Sequence, residues 1–306
     1  MKVHGLLLLD KPRGLSSNIA LQKARRLLEA DKAGHGGTLD PMADGLLPVL
    51  FGEACKLAES ALQGDKAYEA TLRLGQATTT DDTEGEIVST GEVAFTDAEL
   101  EAVLARFRGE ITQVPPIFSA LKVAGKALYR YAREGNPVQP EPRRVTIHAL
   151  ELLERRNGAE PSLALRVACS KGTYIRSLAR DIGAALGCGA HLSALRRTVV
   201  GRFSVDAAIG LESLAAMSPQ ERRGRLIALE ALVADWPRAS LDEAATRLFC
   251  QGQAVEVPRA SVHDAGATAP PARIAVHCGG RLIGLGRSTP TTESTCVLSP
   301  ARIIVS

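Results

Sequence analysis

Aromatic residues are scarce in this chain of 306 residues, at 4%, with one Trp, four Tyr and six Phe. Each tyrosine therefore has to be placed individually. Long apolar runs are missing as well. The first, Leu6 to Leu9, is broken by Asp10 and Lys11, whereas a secretory signal needs about 7–15 apolar residues and a membrane span about 20. Neither is expected, which leaves a soluble, cytoplasmic, monomeric protein with no membrane partner as the expectation. An excess of one charge is absent too: 37 basic residues face 34 acidic ones, for a net +3. That balance neither demands nor excludes nucleic acid, so any electrostatic footprint must be local. The six cysteines (Cys55, Cys169, Cys188, Cys250, Cys278, Cys296) include no C-x-x-C pair. Their spacing speaks against a zinc site and against a disulfide framework.

Common catalytic signatures are also missing. Gly125-Lys126 lacks the Walker pattern, because Ala120 stands where the first Gly belongs and Ala127 where Ser or Thr belongs. There is no H-E-x-x-H and no EF-hand loop, and Gly14-Leu15-Ser16-Ser17-Asn18 lacks the last Gly of a nucleophile elbow. Phosphate-loop and metal-hydrolase chemistries lose their usual signals, and no metal is expected.

What is present reads as a mixed chain. Val3 to Leu9 predicts a buried strand, followed by a helix capped by Ser16 or Ser17. Leu46 to Phe51 is apolar, Glu53 to Leu62 predicts a helix, and Tyr68 to Leu74 alternates like a strand before a polar turn at 78–85. Thr96-Asp97-Ala98-Glu99 is a capping box, with Phe95 and Leu100 placed as a hydrophobic staple, and its helix should stop at Gly109. Lys126 to Glu134 and Thr173 to Leu186 predict helices; 144–153, 163–169 and Leu192 to Phe203 predict strands. From Gly210 to Val233 the pattern is helical again. Around Trp236-Pro237 the composition shifts: Lys is absent after position 171, and short strand-like runs follow at Arg273 to Cys278, Arg281 to Leu285 and Ile303 to Val305, with a loop at Ala265 to Ala272. Strands and helices without regular alternation predict an α+β fold with a small β-rich C-terminal domain, the boundary lying near residue 240.

The informative segment is Gly34-His35-Gly36-Gly37-Thr38-Leu39-Asp40-Pro41-Met42-Ala43-Asp44-Gly45-Leu46-Leu47-Pro48. Gly36 and Gly37 permit positive φ or a close backbone approach. Pro41 biases Asp40 toward an extended conformation, holding that carboxylate at a fixed turn. Taken alone, an Asp-Pro pair more often caps a short helix with Pro in its first position.

The combination changes that reading. The segment resembles the motif of the TruB family of tRNA pseudouridine synthases, G-H-x-G-x-L-D-P-x-A-x-G-x-L-P. The resemblance extends in order over residues 3–205: Gly5-Leu6 through Asp10-Lys11-Pro12 with Gly14-Leu15-Ser16-Ser17, Lys66-Ala67-Tyr68, Leu74-Gly75 with Thr80-Asp81, Pro115-Pro116 through Ser119-Ala120-Leu121-Lys122, Cys169-Ser170-Lys171-Gly172-Thr173-Tyr174-Ile175-Arg176, and Gly189-Ala190-His191 through Leu195-Arg196-Arg197. Asp44 departs from it, where the family commonly has a small hydroxyl residue.

The resemblance implies a pseudouridine synthase fold: a mainly antiparallel central sheet flanked by helices, over 1–240, with a PUA-like RNA-binding domain over 241–306. It implies conversion of uridine to pseudouridine at position 55 in the tRNA T-loop. That isomerisation has no redox step and calls for no cofactor. Asp40 is implied as the catalytic carboxylate and Arg176 as its ion-pair partner; an Arg at that distance would lower the Asp pKa. Tyr68 is implied to stack on the flipped base and to assist proton removal at the new bonding carbon. Tyr174 and Leu195 are implied to line the base pocket, and His35 to take the place of the flipped base in the RNA. As isolated residues, Tyr68 and Leu195 would be core, Arg176 a surface residue at a helix start, and His35 a turn histidine bonded to backbone.

Lys126, Arg130 and Arg133 are expected on one helical face, with Lys122 before them, Arg143-Arg144 after them, and Tyr129 and Tyr131 interleaved. The plain reading is a solvated amphipathic helix. The family has an RNA-clamping insertion here, near 119–147, which makes these residues candidate RNA-backbone contacts, while the C-terminal arginines are candidates for the acceptor end. Three alternatives remain open: a non-catalytic tRNA-binding or folding protein, a nucleosidase using Asp40 with Asp44, and a metal-dependent hydrolase using Asp81-Asp82.

Overall fold

The computed structural model describes residues 2–58, 64–119, 121–263 and 274–304. The end of the helix expected to reach Leu62, Ala120 of the Ser119-Ala120-Leu121 motif, the Ala265–Ala272 loop, Arg273 and Val305 lie outside the described residues.

The apolar Leu6–Leu9 run becomes strand β1 (Gly5–Lys11), and its lack of alternation has a direct cause. Both faces of this strand are covered. Leu7 and Leu9 point into one hydrophobic cluster, and Leu6 and Leu8 into a second on the opposite face. Ser16 caps helix α1 (Ser17–Leu27), its hydroxyl accepting from the Ile19 amide at 3.2 Å. A short strand β2 (Ala33–His35) and β3 (Asp44–Phe51) follow, with the Gly36–Ala43 loop between them. β3 repeats the two-faced pattern: Leu47, Val49 and Phe51 face one cluster, Leu46 and Leu50 the other. Where a helix was expected from Glu53, a 3₁₀ turn spans Gly52–Leu57 and Ala58 is helical.

β4 (Lys66–Leu74) is the central strand of the chemistry, and β5 (Gln76–Thr78) and β6 (Ile87–Thr90) form a small hairpin beyond it. The capping box forms at Thr96 and Glu99 and starts α2 (Asp97–Arg106). Gly109, instead of ending the helix, opens strand β7 (Gly109–Gln113) at φ +86°. A two-residue hairpin, β8 (Lys122–Val123) and β9 (Lys126–Ala127), precedes the short α3 (Leu128–Arg133). Lys126 therefore sits on the hairpin and not on a helical face shared with Arg130 and Arg133. Next come β10 (Arg143–Arg156), β11 (Ser162–Cys169), α4 (Ile175–Ala185) and β12 (Ala190–Val200). β13 (Phe203–Ser204) and β14 (Ile209–Gly210) follow, and the helical stretch to Val233 divides into α5 (Leu211–Ala216), α6 (Pro219–Gly224) and α7 (Leu229–Leu232).

Among the described residues ten strands form the main sheet, along the path β14-β1-β3-β12-β4-β11-β10-β7, with β2 and β13 at its sides. Pairing is antiparallel except at β1–β14 and β3–β12. The fold is thus the expected mixed α+β type. A second, six-stranded sheet is built from β15 (Arg238–Ser240), β16 (Val255–Pro258), β17 (Val262–His263), β18 (Ile274–Cys278), β19 (Arg281–Pro290) and β20 (Thr295–Ile303), with α8 (Glu243–Cys250) between its first two strands. It matches the expected PUA-like β-rich unit, although its last strand begins eight residues before Ile303. Leu282, Leu285 and Ile304 pack on Leu6, Leu46 and Leu50, so the back of the main sheet is the floor of the second unit. Each fully buried leucine at this seam contributes about 1.5–3 kcal/mol.

Candidate active site

Asp40 lies on the loop between β2 and β3, and the structure fixes that loop from three sides. The Ser17 hydroxyl, 3% exposed as a residue, accepts from the Leu39 amide at 2.7 Å and donates to the Leu39 carbonyl at 2.9 Å. The Gly14 amide donates to the Pro41 carbonyl at 2.8 Å, and the Gly36 amide to the Pro48 carbonyl at 3.0 Å. From below, Arg197 of β12 donates to the carbonyls of Leu46 (2.8 Å), Gly37 (3.2 Å) and Thr38 (3.5 Å). Gly45 is required here: at φ +97° its backbone pairs with Arg197, and a Cβ would lie 2.4 Å from the Arg197 carbonyl oxygen. Pro41 starts no helix. Asp40 closes a turn instead, its carbonyl accepting from the Ala43 amide.

Arg176, in the first turn of α4, points its guanidinium at two carboxylates. Its Nε is 3.1 Å from Asp40 Oδ2 and its Nη1 is 3.3 Å from Asp82 Oδ2. The remaining valence goes to the carbonyls of Thr80 (3.1 Å) and Phe118 (2.9 Å). Asp82 is fully enclosed, accepting also from the Thr80 hydroxyl at 2.6 Å and the Glu84 amide at 3.0 Å. Asp40, by contrast, keeps 37% of its side chain exposed, at the mouth of the pocket.

The net shift of the Asp40 pKa is upward, although Arg176 lowers it as expected. Burial raises the Asp40 pKa above its ordinary value; Arg176 pulls it back, Asp82 raises it again, and Lys11 lowers it. Desolvation wins because Arg176 is shared between two acids. Lys11 is itself completely buried, with its ammonium bonded to the Pro12 and Leu15 carbonyls at 2.9 and 2.7 Å. Burial brings its pKa down to about 8, against the opposing pull of Asp44 and Asp40.

Two cavities meet at Asp40 and Arg176. One, of about 390 Å³, is walled by Tyr68, Tyr174, Leu195, Arg143 and Arg197. The other, of about 540 Å³, is walled by His35, Phe118, Tyr129, Arg133 and Asp82. Thus Asp40, Arg176, Tyr68, Tyr174 and Leu195 come together, while His35 stands on the far side of the acid. His35 Nδ1 has no hydrogen-bond partner among the described residues, so the backbone-bonded turn histidine does not form at that nitrogen. Burial and then Arg197 lower its pKa. Tyr68 is 7% exposed. Burial pushes its pKa up to about 12, although Arg197 pulls it the other way. A larger cleft of about 630 Å³ lies near Lys32, Lys56 and Arg302, apart from these groups and without an acid in its wall among the described residues.

The basic candidates are less concentrated. Arg133 stands over the Tyr129 ring at 5.5 Å, and both line the His35 cavity. Lys126 pairs with Glu134 and lies over Tyr131 at 4.5 Å. Lys122 and Arg130 face solvent. Asp44 lines neither cavity beside Asp40. It meets Arg196 at 2.9 Å and Arg13 at 3.3 Å, so Asp44 is not paired with Asp40 as the nucleosidase alternative required. Asp81 is engaged by Arg180 at 2.9 Å and Asp82 by Arg176.

Three residues in this arrangement were not assigned these places from sequence: Arg197, Lys11, and Asp82 as the second partner of Arg176, while Arg143, expected among the basic residues after the helix, covers the Tyr174 ring with its guanidinium at 4.5 Å. For Arg197 a signal existed. A basic residue in an apolar strand, next to a second arginine that alternation sends to the opposite face, has to find acceptors inside.

Comparison with known proteins agrees with this geometry. Residues 25–175 match the model for the TruB family pseudouridylate synthase N-terminal domain, and residues 176–236 match the tRNA pseudouridylate synthase B C-terminal domain. A tRNA pseudouridine synthase B of Burkholderia mallei (strain NCTC 10247) is 49% identical over 303 residues, 99% of this chain and 97% of the relative. The corresponding protein of Azoarcus sp. (strain BH72) is 51% identical over 284 residues, 93% and 91% of the two chains. Among solved structures, a chain of a Cbf5-Nop10-Gar1 complex superposes with a TM-score of 0.73 at 26% identity, covering 98% of this chain and 85% of that one. The chain belongs to the TruB family, enzymes that isomerise uridine to pseudouridine in tRNA.

Proposed function

We propose that this enzyme acts on the uridine at position 55 of the tRNA T-loop and that Asp40 is its reacting carboxylate. The observation that carries the reading is the Asp40–Arg176 pair at 3.1 Å, facing Tyr68 across one cavity. The target uridine leaves its stack, at a cost of a few kcal/mol. Stacking on an aromatic face returns about 1–3 kcal/mol per base, and Tyr68 supplies that face. Leu195 and Tyr174 complete an apolar slot that excludes water. The Asp40 carboxylate, partly desolvated and steadied by Arg176, assists cleavage of the bond between ribose C1′ and base N1. The base turns, C5 bonds to C1′, the proton at C5 leaves, and the freed N1 takes up a proton in its place. Atoms and electrons balance within the nucleotide, so the reaction draws on no external oxidant or reductant. His35, on the opposite side of the acid, suits a positioning role against the emptied stack better than proton transfer.

Residues 1–240 form the catalytic unit in this reading. The 119–147 segment clamps the RNA through Lys122, Lys126, Arg130 and Arg133, and residues 241–306 extend the contact toward the acceptor end. The six cysteines are all free thiols, which supports a reducing, cytoplasmic setting. Among the described residues no helix is long and apolar enough to cross a membrane.

The test incubates the purified chain with an unmodified tRNA transcript, without added cofactor, and maps pseudouridine by position. Product at position 55, lost in Asp40→Asn while tRNA affinity stays within a few-fold, is the expected result. Release of free uracil, or full activity of Asp40→Asn, would overturn the assignment.

A further inference from the structure

Buried polar side-chain atoms nearly always have a hydrogen-bond partner, so each exception calls for a cause. Four such atoms lack one among the described residues: His35 Nδ1, Ser119 Oγ, Arg143 Nε and Thr246 Oγ1. Thr246 belongs to α8 of the second unit. The other three residues all line the two cavities beside Asp40, and of them only Ser119 lines both, as Asp40 and Arg176 do. Ser119 is 3% exposed, and its backbone is fixed on either side. The preceding Phe118 carbonyl accepts from Arg176 at 2.9 Å, and the Ser119 carbonyl accepts from the Tyr129 amide of α3 at 3.0 Å. The main chain is thus held by the ion-pair partner of Asp40 and by the RNA-clamping segment, while the hydroxyl serves neither. A hydroxyl buried without a bond costs stability, and alanine would avoid that cost. Because nothing holds it, the hydroxyl can turn about Cα–Cβ to another staggered position without losing a bond.

We infer that Ser119 is a substrate-contacting residue whose hydroxyl bonds the ribose 2′-hydroxyl of the flipped nucleotide. In the proposed reaction the base lies against Tyr68 and C1′ lies at Asp40, so the ribose occupies the place where the two cavities meet. The 2′-hydroxyl stands on the carbon bonded to C1′, which brings it to the wall that Ser119 shares with Asp40. Charge decides against a phosphate as the partner, because a phosphate at the junction meets the Asp40 carboxylate. A ribose hydroxyl is neutral and, like serine, both donates and accepts. The 2′-hydroxyl is also the group by which a protein tells RNA from DNA. The site would therefore favour ribose over deoxyribose through a side chain that contributes nothing to the fold.

This inference rests on the proposed reaction, and its test separates the two. Single-turnover rates, tRNA Kd and Tm are measured for the parent and Ser119→Ala on two transcripts, one unmodified and one carrying 2′-deoxyuridine at position 55. On the unmodified transcript Ser119→Ala should slow the reaction about three- to tenfold, the effect of one hydrogen bond. Kd should stay within about threefold, because phosphate contacts dominate affinity. Its Tm should equal or exceed the parent's, since the fold loses no bond. The parent should lose a similar factor on the deoxyuridine transcript, and both changes together should cost less than about twofold more than either alone. Rate losses that multiply in full overturn the inference, as does an unchanged rate for Ser119→Ala. A parent that shows no preference between the transcripts overturns it without any variant. So does a deoxyuridine penalty more than about tenfold beyond that of Ser119→Ala, complete loss included. A variant that unfolds, or melts several degrees below the parent, shows that the hydroxyl serves the fold and also refutes the contact. A parent that makes no pseudouridine on the unmodified transcript refutes the reaction instead.

Discussion

Replacing Arg176 by Met should expose how the pocket holds its charges. The side chain is 7% exposed and serves four acceptors: the carboxylates of Asp40 and Asp82 and the carbonyls of Thr80 and Phe118. Removing one partner of a buried ion pair costs about 3–5 kcal/mol, because the other charge stays behind uncompensated. The two carboxylates differ in what happens next. Asp40, with 37% of its side chain exposed, can be taken over by water; Asp82, at 3%, cannot. Most of the penalty should therefore sit on Asp82. Arg176→Met is expected to lose about 3–5 kcal/mol in urea unfolding at pH 7, a factor of roughly 10² to 10³·⁵ in the folded-to-unfolded ratio. Adding Asp82→Asn should restore about half of it or more, as expected for groups in one network. Adding Asp40→Asn should restore little. Activity should stay lost in both double variants. A loss under 1 kcal/mol for Arg176→Met, or equal rescue by the two Asn substitutions, would refute this distribution.

Asp40→Asn should cut turnover by about 10³-fold or more and raise Tm at neutral pH. The folded-state pKa of Asp40 is raised above 3.8, chiefly by burial, so its charged form destabilises the fold as pH rises through that folded value. The gain in Tm should be present at pH 7 and vanish below about pH 3.8, where the parent acid is protonated in both states; a pH-independent gain contradicts the assignment. Gly45→Ala should lower stability by about 1–3 kcal/mol for the φ +97° conformation, plus the displacement of β12 forced by the 2.4 Å contact, and parent-like thermal unfolding would count against it. Leu285→Ala, at the seam with Leu6 and Leu50, should cost about 2–5 kcal/mol; less than 1 kcal/mol would mean the seam is loosely packed. Arg133→Ala should reduce the slope of log affinity for tRNA against log salt by about 0.7–0.9, and an unchanged slope removes it from the RNA contact.

What the sequence made legible was local chemistry. The Thr96 capping box needs only four neighbours to form, and it does. The Gly34–Pro48 motif points to Asp40 through its resemblance to the TruB family; by itself Pro41 only biases Asp40 toward an extended conformation. The strand at Leu6–Leu9 was recognisable as buried from its apolar run, and Leu46–Phe51 as an apolar segment. The reason they are buried twice, a second sheet on the back of the first, is a tertiary fact involving Leu282 and Ile304. The same limit hid the net upward shift of the Asp40 pKa. A pairing rule sees one Arg and one Asp, but the pKa depends on Asp82 sharing that Arg and on water being excluded. Lys126 was misplaced on a helical face because its spacing of four and seven residues to Arg130 and Arg133 holds in a helix, whereas the chain turns a hairpin through Gly125 at φ +81° first. Arg197 was the most serious omission: periodicity treats an arginine as outward-facing, and only the carbonyls of the Asp40 loop give it an inward place.

The near-neutral composition of the chain conceals a strong local field. The wall of the cavity that faces Tyr68 includes Lys66, Arg143, Arg176 and Arg197 against the single carboxylate of Asp40. Two of these cations have their pKa lowered by burial, Lys66 and Arg197, so the cavity stores unfavourable charge in the unliganded protein. A polyanion entering that space relieves it, and low-dielectric walls focus the attraction more than exposed lysines could. Affinity for RNA and the state of Asp40 are thereby coupled: each phosphate that approaches adds a negative charge near an acid already raised by burial, while the cations oppose the shift. Substituting Lys66 should then weaken binding and move the pH dependence of turnover together, whereas substituting the exposed Arg133 should weaken binding alone. Lys66 lines the same wall as Asp40, and Arg133 lies on the far side of the acid.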